Sequence, residues 1–228
     1  MMISLKGKVV MITGASGGLG QTVAEAFSRG GAKVVVVSRE LAGKFAKELV
    51  GVQADVTDEA EVQRLMKEAV QKTTRLDCVI NLVGGFAMGR LAETDASVWS
   101  RMLSLNLTSA FLLSREAARI MSNQGSGRII HMAARAAVDP FPGAGAYIVS
   151  KSGLLALIKV LALELSGSDV KVNGVLPSTI DTPANRQSMP DADFTQWVKP
   201  EAIAALLVFL ASDEADALNG ALIPIGSS

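Results

Sequence analysis

The sequence predicts one α/β domain over residues 1–228, a doubly wound fold whose seven-stranded, mainly parallel sheet carries helices on both faces. Three observations predict it. Apolar runs of strand length alternate with helix-length patterns from one end to the other. The strand runs are apolar at successive positions, so both faces of each strand are to be buried, as in a parallel sheet covered by helices. A glycine-rich turn follows the first run directly, where such folds bend from strand into helix.

The elements follow in order. A strand near 8–13 (KVVMIT) leads to a helix near 18–29, which Gly30 and Gly31 close. The valine-rich run at 33–38 suits a pleated, buried strand. A helix near 41–49 and a strand near 51–55 come next. Asp58 is placed to cap the helix near 58–72. Strands near 76–81 and 127–132 enclose a long helical pattern at 95–121. A helix at 146–166 and a strand at 170–176 follow, then a last helix at 199–212 and a strand at 221–225. Pro200 opens that helix where a missing N–H does no harm. Right-handed crossovers between these strands make the sheet doubly wound, the Rossmann arrangement. The segment from Pro177 to Lys199 shows neither period and is expected to be irregular, a lid on the substrate side.

Composition narrows the function. With 49% hydrophobic and 19% charged residues, the chain can build a large core and is not disordered. Lys+Arg and Asp+Glu each total 22, so no net field draws it to nucleic acid or to anionic lipid. Neither partner is expected; a small-molecule substrate is. Cys78 is the only cysteine, read as a buried thiol, and excludes an internal disulfide framework. No uninterrupted apolar stretch reaches the ~20 residues that span a bilayer, and a cytoplasmic location is expected. His131, the only histidine, has no partner at metal-ligand spacing, so no metal site is expected.

The chemistry lies in two motifs. In TGASGGLG, Gly14, Gly18 and Gly20 let the backbone approach a pyrophosphate at a helix N-terminus. In AYIVSKSG, Tyr147 and Lys151 stand four residues apart, on one face of a helix. A phenol there can act as proton donor to a group that gains negative charge by hydride transfer. Lys151, with the positive charge of a bound cofactor, is expected to lower its pKa from the ordinary value of about 10.

These motifs, in this order, resemble the short-chain dehydrogenase/reductase family along essentially the whole chain. The resemblance implies that Ser16 and Leu19 join the glycine turn in holding a nicotinamide dinucleotide. It implies that Asp55 and Val56 meet the adenine, and that Asn81 and Gly84 form the fourth-strand motif. Asn106 is similar to the family's structural catalytic asparagine, and Tyr147 and Lys151 to its active-site pair. Pro177, Ile180 and Thr182 fall in the segment that grips the nicotinamide carboxamide. At the end of the second strand, Ser38 carries no charge and Arg39 can pair with a 2′-phosphate. NADP(H) is therefore expected over NAD(H), with a solvated arginine at a strand end as the alternative reading of Arg39. Gly17 adds no second basic residue.

One position departs from the family. A serine that polarises the substrate carbonyl is usual thirteen residues before the tyrosine; here that residue is Ala134. A different acceptor, a donor from elsewhere, or a weakened site each accounts for this. The segment from Asp181 to Trp197 resembles the corresponding loop of the dihydropteridine reductases, which also carry alanine at the position of Ala134. That likeness implies a conjugated C=N or C=O acceptor, such as a quinonoid dihydropterin, lying on Phe86. Arg135, Met189 and Trp197 are further substrate-side candidates. Asn106 and Ser38-Arg39 depart from the pterin enzymes. An ordinary carbonyl or 3-oxoacyl reductase, and a non-catalytic NADP(H)-binding sensor, remain alternatives. The helix at 146–166 is apolar on more than one face, which implies a homodimer or homotetramer.

Overall fold

The computed structural model describes residues 3–41 and 49–226. The chain begins with strand β1 (Val9–Thr13), helix α1 (Gly20–Arg29), strand β2 (Lys33–Ser38) and strand β3 (Val50–Gln53). Helix α2 (Glu59–Thr73), strand β4 (Cys78–Asn81) and helix α3 (Ala96–Leu103) follow, then α4 (Ser109–Gln124) and β5 (Ser126–Met132). The last part holds α5 (Gly145–Glu164), β6 (Asp169–Pro177), the short α6 (Pro183–Ser188), α7 (Pro200–Leu210) and β7 (Leu222–Ile225). The helix expected near 41–49 lies almost wholly outside the described residues.

The strands form one sheet in the order β3-β2-β1-β4-β5-β6-β7. The sheet is parallel at every pairing, beyond the mainly parallel expectation. Its two faces carry separate cores. One packs α1 and α7 on the sheet through Val23, Phe27, Ile203 and Leu207. The other packs α2, α4 and α5 through Leu65, Leu113, Leu154 and Ile158. Residues of β1 alternate between them, Met11 to one side and Ile12 to the other, both fully buried. The strand order reverses between β1 and β4, and the crevice beyond their carboxyl ends is where such sheets bind ligands.

Local chemistry explains the boundaries. Asp58 is extended and its carboxylate accepts the Glu61 N–H at 2.9 Å, capping α2 as expected. Gly31 ends α1 with φ at +87°, a conformation that costs glycine little.

Two expectations need correction. The helical pattern at 95–121 is not one regular helix: α3 and α4 are joined by a π-turn, Ser104–Thr108, with Asn106 in its middle. Such widened turns insert one residue and re-aim a side chain, and occur often at functional sites. The segment from Pro177 to Lys199 is not irregular. It contains α6 and a 3₁₀ turn, Phe194–Gln196, and its base is closed by a bridge between Ile180 and Val198.

Candidate active site

The turn between β1 and α1 forms the first wall. Gly14 has φ at +73°, and a Cβ there would sit 2.9 Å from the Val83 backbone nitrogen. A Cβ on Gly18 would lie 3.1 Å from Thr182 Cβ, so the turn and the start of the lid segment are in close contact. Leu19 is the N-cap residue of α1 and makes no side-chain capping bond; the first turn holds no acidic residue. The N-terminus therefore presents its dipole and N–H groups to an anion. This backbone cradle fits a dinucleotide pyrophosphate.

The residues expected to meet an adenosine lie at the ends of β2 and β3. Ser38 is buried and its hydroxyl donates to Ser16 Oγ at 2.8 Å. Arg39, next to it, is exposed. Asp55 accepts the Thr57 hydroxyl at 2.7 Å and the Thr57 N–H at 2.9 Å. Those bonds, with the nearby Arg39 charge, hold its carboxyl below the usual carboxylate value. Val56 is buried behind it. At the tip of β4, Asn81 Oδ1 accepts the Thr13 hydroxyl at 2.8 Å and the Val83 N–H at 3.1 Å, tying β1 to the β4 loop.

The reactive groups meet below. A Cβ on Gly84 would lie 2.7 Å from Asn106 Oδ1 and 3.2 Å from Lys151 Nζ, so those side chains converge on this glycine. Asn106 accepts the Gly85 N–H at 2.9 Å and donates to the Gly85 carbonyl and Ser150 Oγ, both at 3.0 Å. Ser150 in turn donates to the Tyr147 carbonyl at 2.7 Å. Lys151 is buried, and its ammonium donates to the Met132 carbonyl at 2.7 Å. Burial pushes the lysine down to about 8. Burial also pushes the Tyr147 phenol up to about 12, opposite to the sequence expectation, because the chain's own surroundings disfavour the phenolate. The positive charge of a bound oxidised nicotinamide acts the other way.

On the substrate side, the Phe86 ring stands edge-on to Tyr147, centroids 4.9 Å apart at 74°. Phe86 is 56% exposed, which leaves a ring face free for a ligand. Ala134 is buried and offers only a methyl group. Arg135 pairs with Asp139 within its own turn. Met189 is partly exposed at the end of α6, and Trp197 packs on Phe194 with ring centroids 4.7 Å apart. The Asp181 carboxylate binds Arg186 and Lys199, each at 2.5 Å, and these partners depress its pKa strongly. Pro177 ends β6 opposite Ile225, and the Ile180 carbonyl accepts Asn185 Nδ2 at 2.8 Å. Thr182 caps α6 through its hydroxyl.

Sequence reasoning missed Ser150, Gly85 and the Met132 carbonyl. Ser150 stands three residues after Tyr147 on the same helix, and that spacing was the available signal. His131 bonds to Ser114 Oγ through Nε2 at 2.8 Å, and burial drives its pKa down to about 3, which keeps it a neutral core residue.

Comparison with known proteins agrees with this geometry. The profile of the short chain dehydrogenase family matches residues 8–193. A protein named borneol dehydrogenase, mitochondrial, from Lavandula x intermedia is 36% identical over 95% of this chain and 88% of its own. A D-threitol dehydrogenase of Mycolicibacterium smegmatis is 32% identical over 95% and 90%. The 3-oxoacyl-[acyl-carrier-protein] reductase FabG of Thermotoga maritima is 29% identical over 97% of both chains. Among solved structures, a short-chain type dehydrogenase/reductase from Mycobacterium ulcerans superposes with a TM-score of 0.92 at 27% identity, covering 97% of this chain and 89% of its own. A 3-ketoacyl-(acyl-carrier-protein) reductase from Brucella melitensis, complexed with NADH, reaches 0.88 at 27% identity over 98% of both. Profile match, relatives and sheet order converge: this chain belongs to the short-chain dehydrogenase family and is an oxidoreductase of that family.

Proposed function

We propose that the protein is an NADP(H)-dependent reductase of conjugated C=N or C=O acceptors, with Tyr147 as proton donor. One observation carries this reading: an exposed aromatic, Phe86, stands edge-on to Tyr147, while residue 134, where the family's serine is expected, is an alanine with no hydrogen-bonding side chain. An isolated carbonyl needs a donor for its developing oxyanion, and losing one costs roughly 3–4 kcal/mol. A conjugated acceptor spreads that charge and stacks on an aromatic face.

The cofactor supplies the hydride. Gly14, Gly18 and the α1 N-terminus hold its pyrophosphate, while Ser16, Ser38 and Arg39 face the adenosine ribose and a 2′-phosphate. Lys151 anchors the nicotinamide ribose, and Asn106 braces the β4 loop against α5. Tyr147, neutral at physiological pH, gives its proton to the acceptor atom that gains charge. A quinonoid dihydropterin is one member of this class, and only the sequence likeness of the segment from Asp181 to Trp197 supports it. A second reading, an ordinary carbonyl or 3-oxoacyl reductase, is favoured by the FabG relative matched over 97% of both chains.

Oxidation of NADPH is to be followed with a pterin, quinones, 1,2-diones, simple ketones and 3-oxoacyl thioesters. Conjugated acceptors are expected to turn over at least tenfold more efficiently than isolated ketones; the reverse order overturns the proposal. NADPH is expected to be preferred to NADH. Arg39→Asp should lower kcat/KM for NADPH about 10- to 100-fold, on roughly 1.5–3 kcal/mol for a charge-assisted hydrogen bond. Equal use of both cofactors by the wild type excludes this role for Arg39.

We further propose a homo-oligomer. Among the described residues, α5 is the one helix long and apolar enough to cross a membrane by composition, yet Leu154 and Ile158 of that helix lie in the core. Its outer face, with α4, exposes Phe111 and Val160 around a groove of about 480 Å³, and α5 also exposes Leu163, 74% accessible. Burying this face against a second copy removes apolar surface from water. A monomer by light scattering at micromolar concentration refutes it.

A further inference from the structure

A second apolar feature borders the crevice and is used by neither the proton donor nor the cofactor cradle. Phe86, Met88 and Leu91 follow β4, and Val138 and Phe141 follow β5; all five are between 44% and 65% exposed. Exposed apolar residues are ordinary when scattered, but contiguous ones mark a binding surface. The two loops are joined, which brings Met88 and Leu91 of the first against the second. Gly89 N–H donates to the Gly143 carbonyl at 2.7 Å, and Gly145 N–H to the Gly89 carbonyl at 3.3 Å. Two glycines admit the side chains above them. A Cβ on Gly143 would sit 3.3 Å from Met88 Cε, and one on Gly145 would sit 2.5 Å from Leu91 Cγ. Met88 and Leu91 therefore lie against the segment that leads into Tyr147.

The surface continues from there into a groove of about 360 Å³, lined by Leu91, Pro140, Phe141, Pro142 and Ile148, with Arg90 its only charged wall residue. The path begins at the Phe86–Tyr147 ring pair, passes Met88 over Gly143 and ends in this groove.

We infer that this track binds an apolar substituent of the acceptor, so that the substrate is a conjugated carbonyl compound carrying an alkyl chain or fused hydrocarbon ring. The inference rests on the function proposed above and deepens it. Proximity to Tyr147 is the argument for a substrate: the groove is lined by Gly143, Gly145 and Ile148, the segment that carries Tyr147, and Met88 lies over Gly143. A pterin, polar around its rim, leaves the track unused.

The test uses 2,3-diones of increasing length, from butanedione to decanedione, with NADPH. Reduction places the hydride on one carbonyl carbon and the Tyr147 proton on its oxygen, yielding the hydroxyketone and NADP⁺. The expected result is a rise in kcat/KM of up to about fourfold per methylene, the factor for full burial of a CH₂, levelling when the groove is filled. Phe141→Ser is expected to flatten that slope. A merely structural defect lowers every member by the same factor and leaves the slope intact, which would overturn the assignment. A flat series in the wild type also overturns it. A slope unchanged in Phe141→Ser, with a lowered sedimentation coefficient, assigns the groove to contact with a second copy instead. Calorimetric binding of the same diones to the NADPH complex separates this from the parent reading. Affinity that grows with length without turnover supports the track and refutes the reductase; length-independent affinity refutes the track alone.

Discussion

Replacing Tyr147 with phenylalanine is expected to lower kcat for acceptor reduction roughly 10²- to 10⁴-fold, the usual contribution of a positioned proton donor. The substitution removes one oxygen and keeps the ring, so the edge-on contact with Phe86 persists. Asn106, Ser150 and the Lys151–Met132 bond do not involve the phenol oxygen and should stay in place. NADPH affinity, followed by fluorescence titration, should change by less than a few fold. Retention of wild-type kcat in Tyr147→Phe would remove this residue from the chemistry.

The pH dependence follows from the same two groups. Burial raises the phenol to about 12, so Tyr147 holds its proton throughout the neutral range, as a donor must. Burial lowers Lys151 to about 8, so its ammonium is present below that pH and lost above it. Reduction is expected to run at a plateau below about 8 and to decline beyond it. Folding responds in the opposite sense. An unfolded lysine titrates near 10.5, so between about 8 and 10.5 the unfolded chain binds more protons than the folded one at this site. The contribution of Lys151 to stability therefore rises with pH over that window. Loss of rate above pH 8 without loss of thermal stability would tie the decline to the ammonium.

How much was legible in the sequence depended on whether the determinant was local. The apolar runs, the Asp58 cap and the glycine turn are set by neighbouring residues, and the structure has them where expected. The Tyr147–Lys151 pair was legible because helical spacing alone puts both on one face. Asn106 was legible as a residue type but its π-turn was not: its amide bonds lie with Gly85, 21 residues away, and Ser150, 44 residues away. No periodicity in 95–121 reports such partners. The lid segment was misjudged for the same reason. Its α6 is only six residues long, and the segment is held by Asp181 bridging Arg186 and Lys199 and by Arg186 lying 4.5 Å over the Phe194 ring. The direction of the Tyr147 shift was missed because burial is a property of the packed site, absent from a spacing argument.

Gly20→Ala is expected to damage the fold and the cofactor site together. A Cβ at Gly20 would lie 2.2 Å from the Ala15 carbonyl oxygen, 2.4 Å from its carbon and 2.5 Å from Ala15 Cα. All three are backbone atoms, so no side-chain rotation relieves the overlap. Either α1 tilts away from the sheet or the turn from Gly14 to Leu19 shifts. Tilting α1 disturbs Val23 and Phe27, both fully buried in the core shared with α7. Alanine is the better helix former by about 1 kcal/mol, but overpacking commonly costs about 1–3 kcal/mol and the steric term should win. For a domain of this size each kcal/mol lowers Tm by roughly 2–4 °C. Shifting the turn instead misaligns the N–H groups meant for the pyrophosphate, so the Tm rise on adding NADPH should shrink or vanish. Gly18→Ala is the control for the fold alone, because Gly18 itself belongs to the pyrophosphate cradle. Its added Cβ meets only the Thr182 side chain, at 3.1 Å, and a small displacement there relieves it. Thermal unfolding without NADPH should place Gly20→Ala well below Gly18→Ala, and the Tm rise on adding NADPH should be smaller in both than in the wild type. Equal behaviour of the two would mean that the turn yields more easily than its backbone contacts imply.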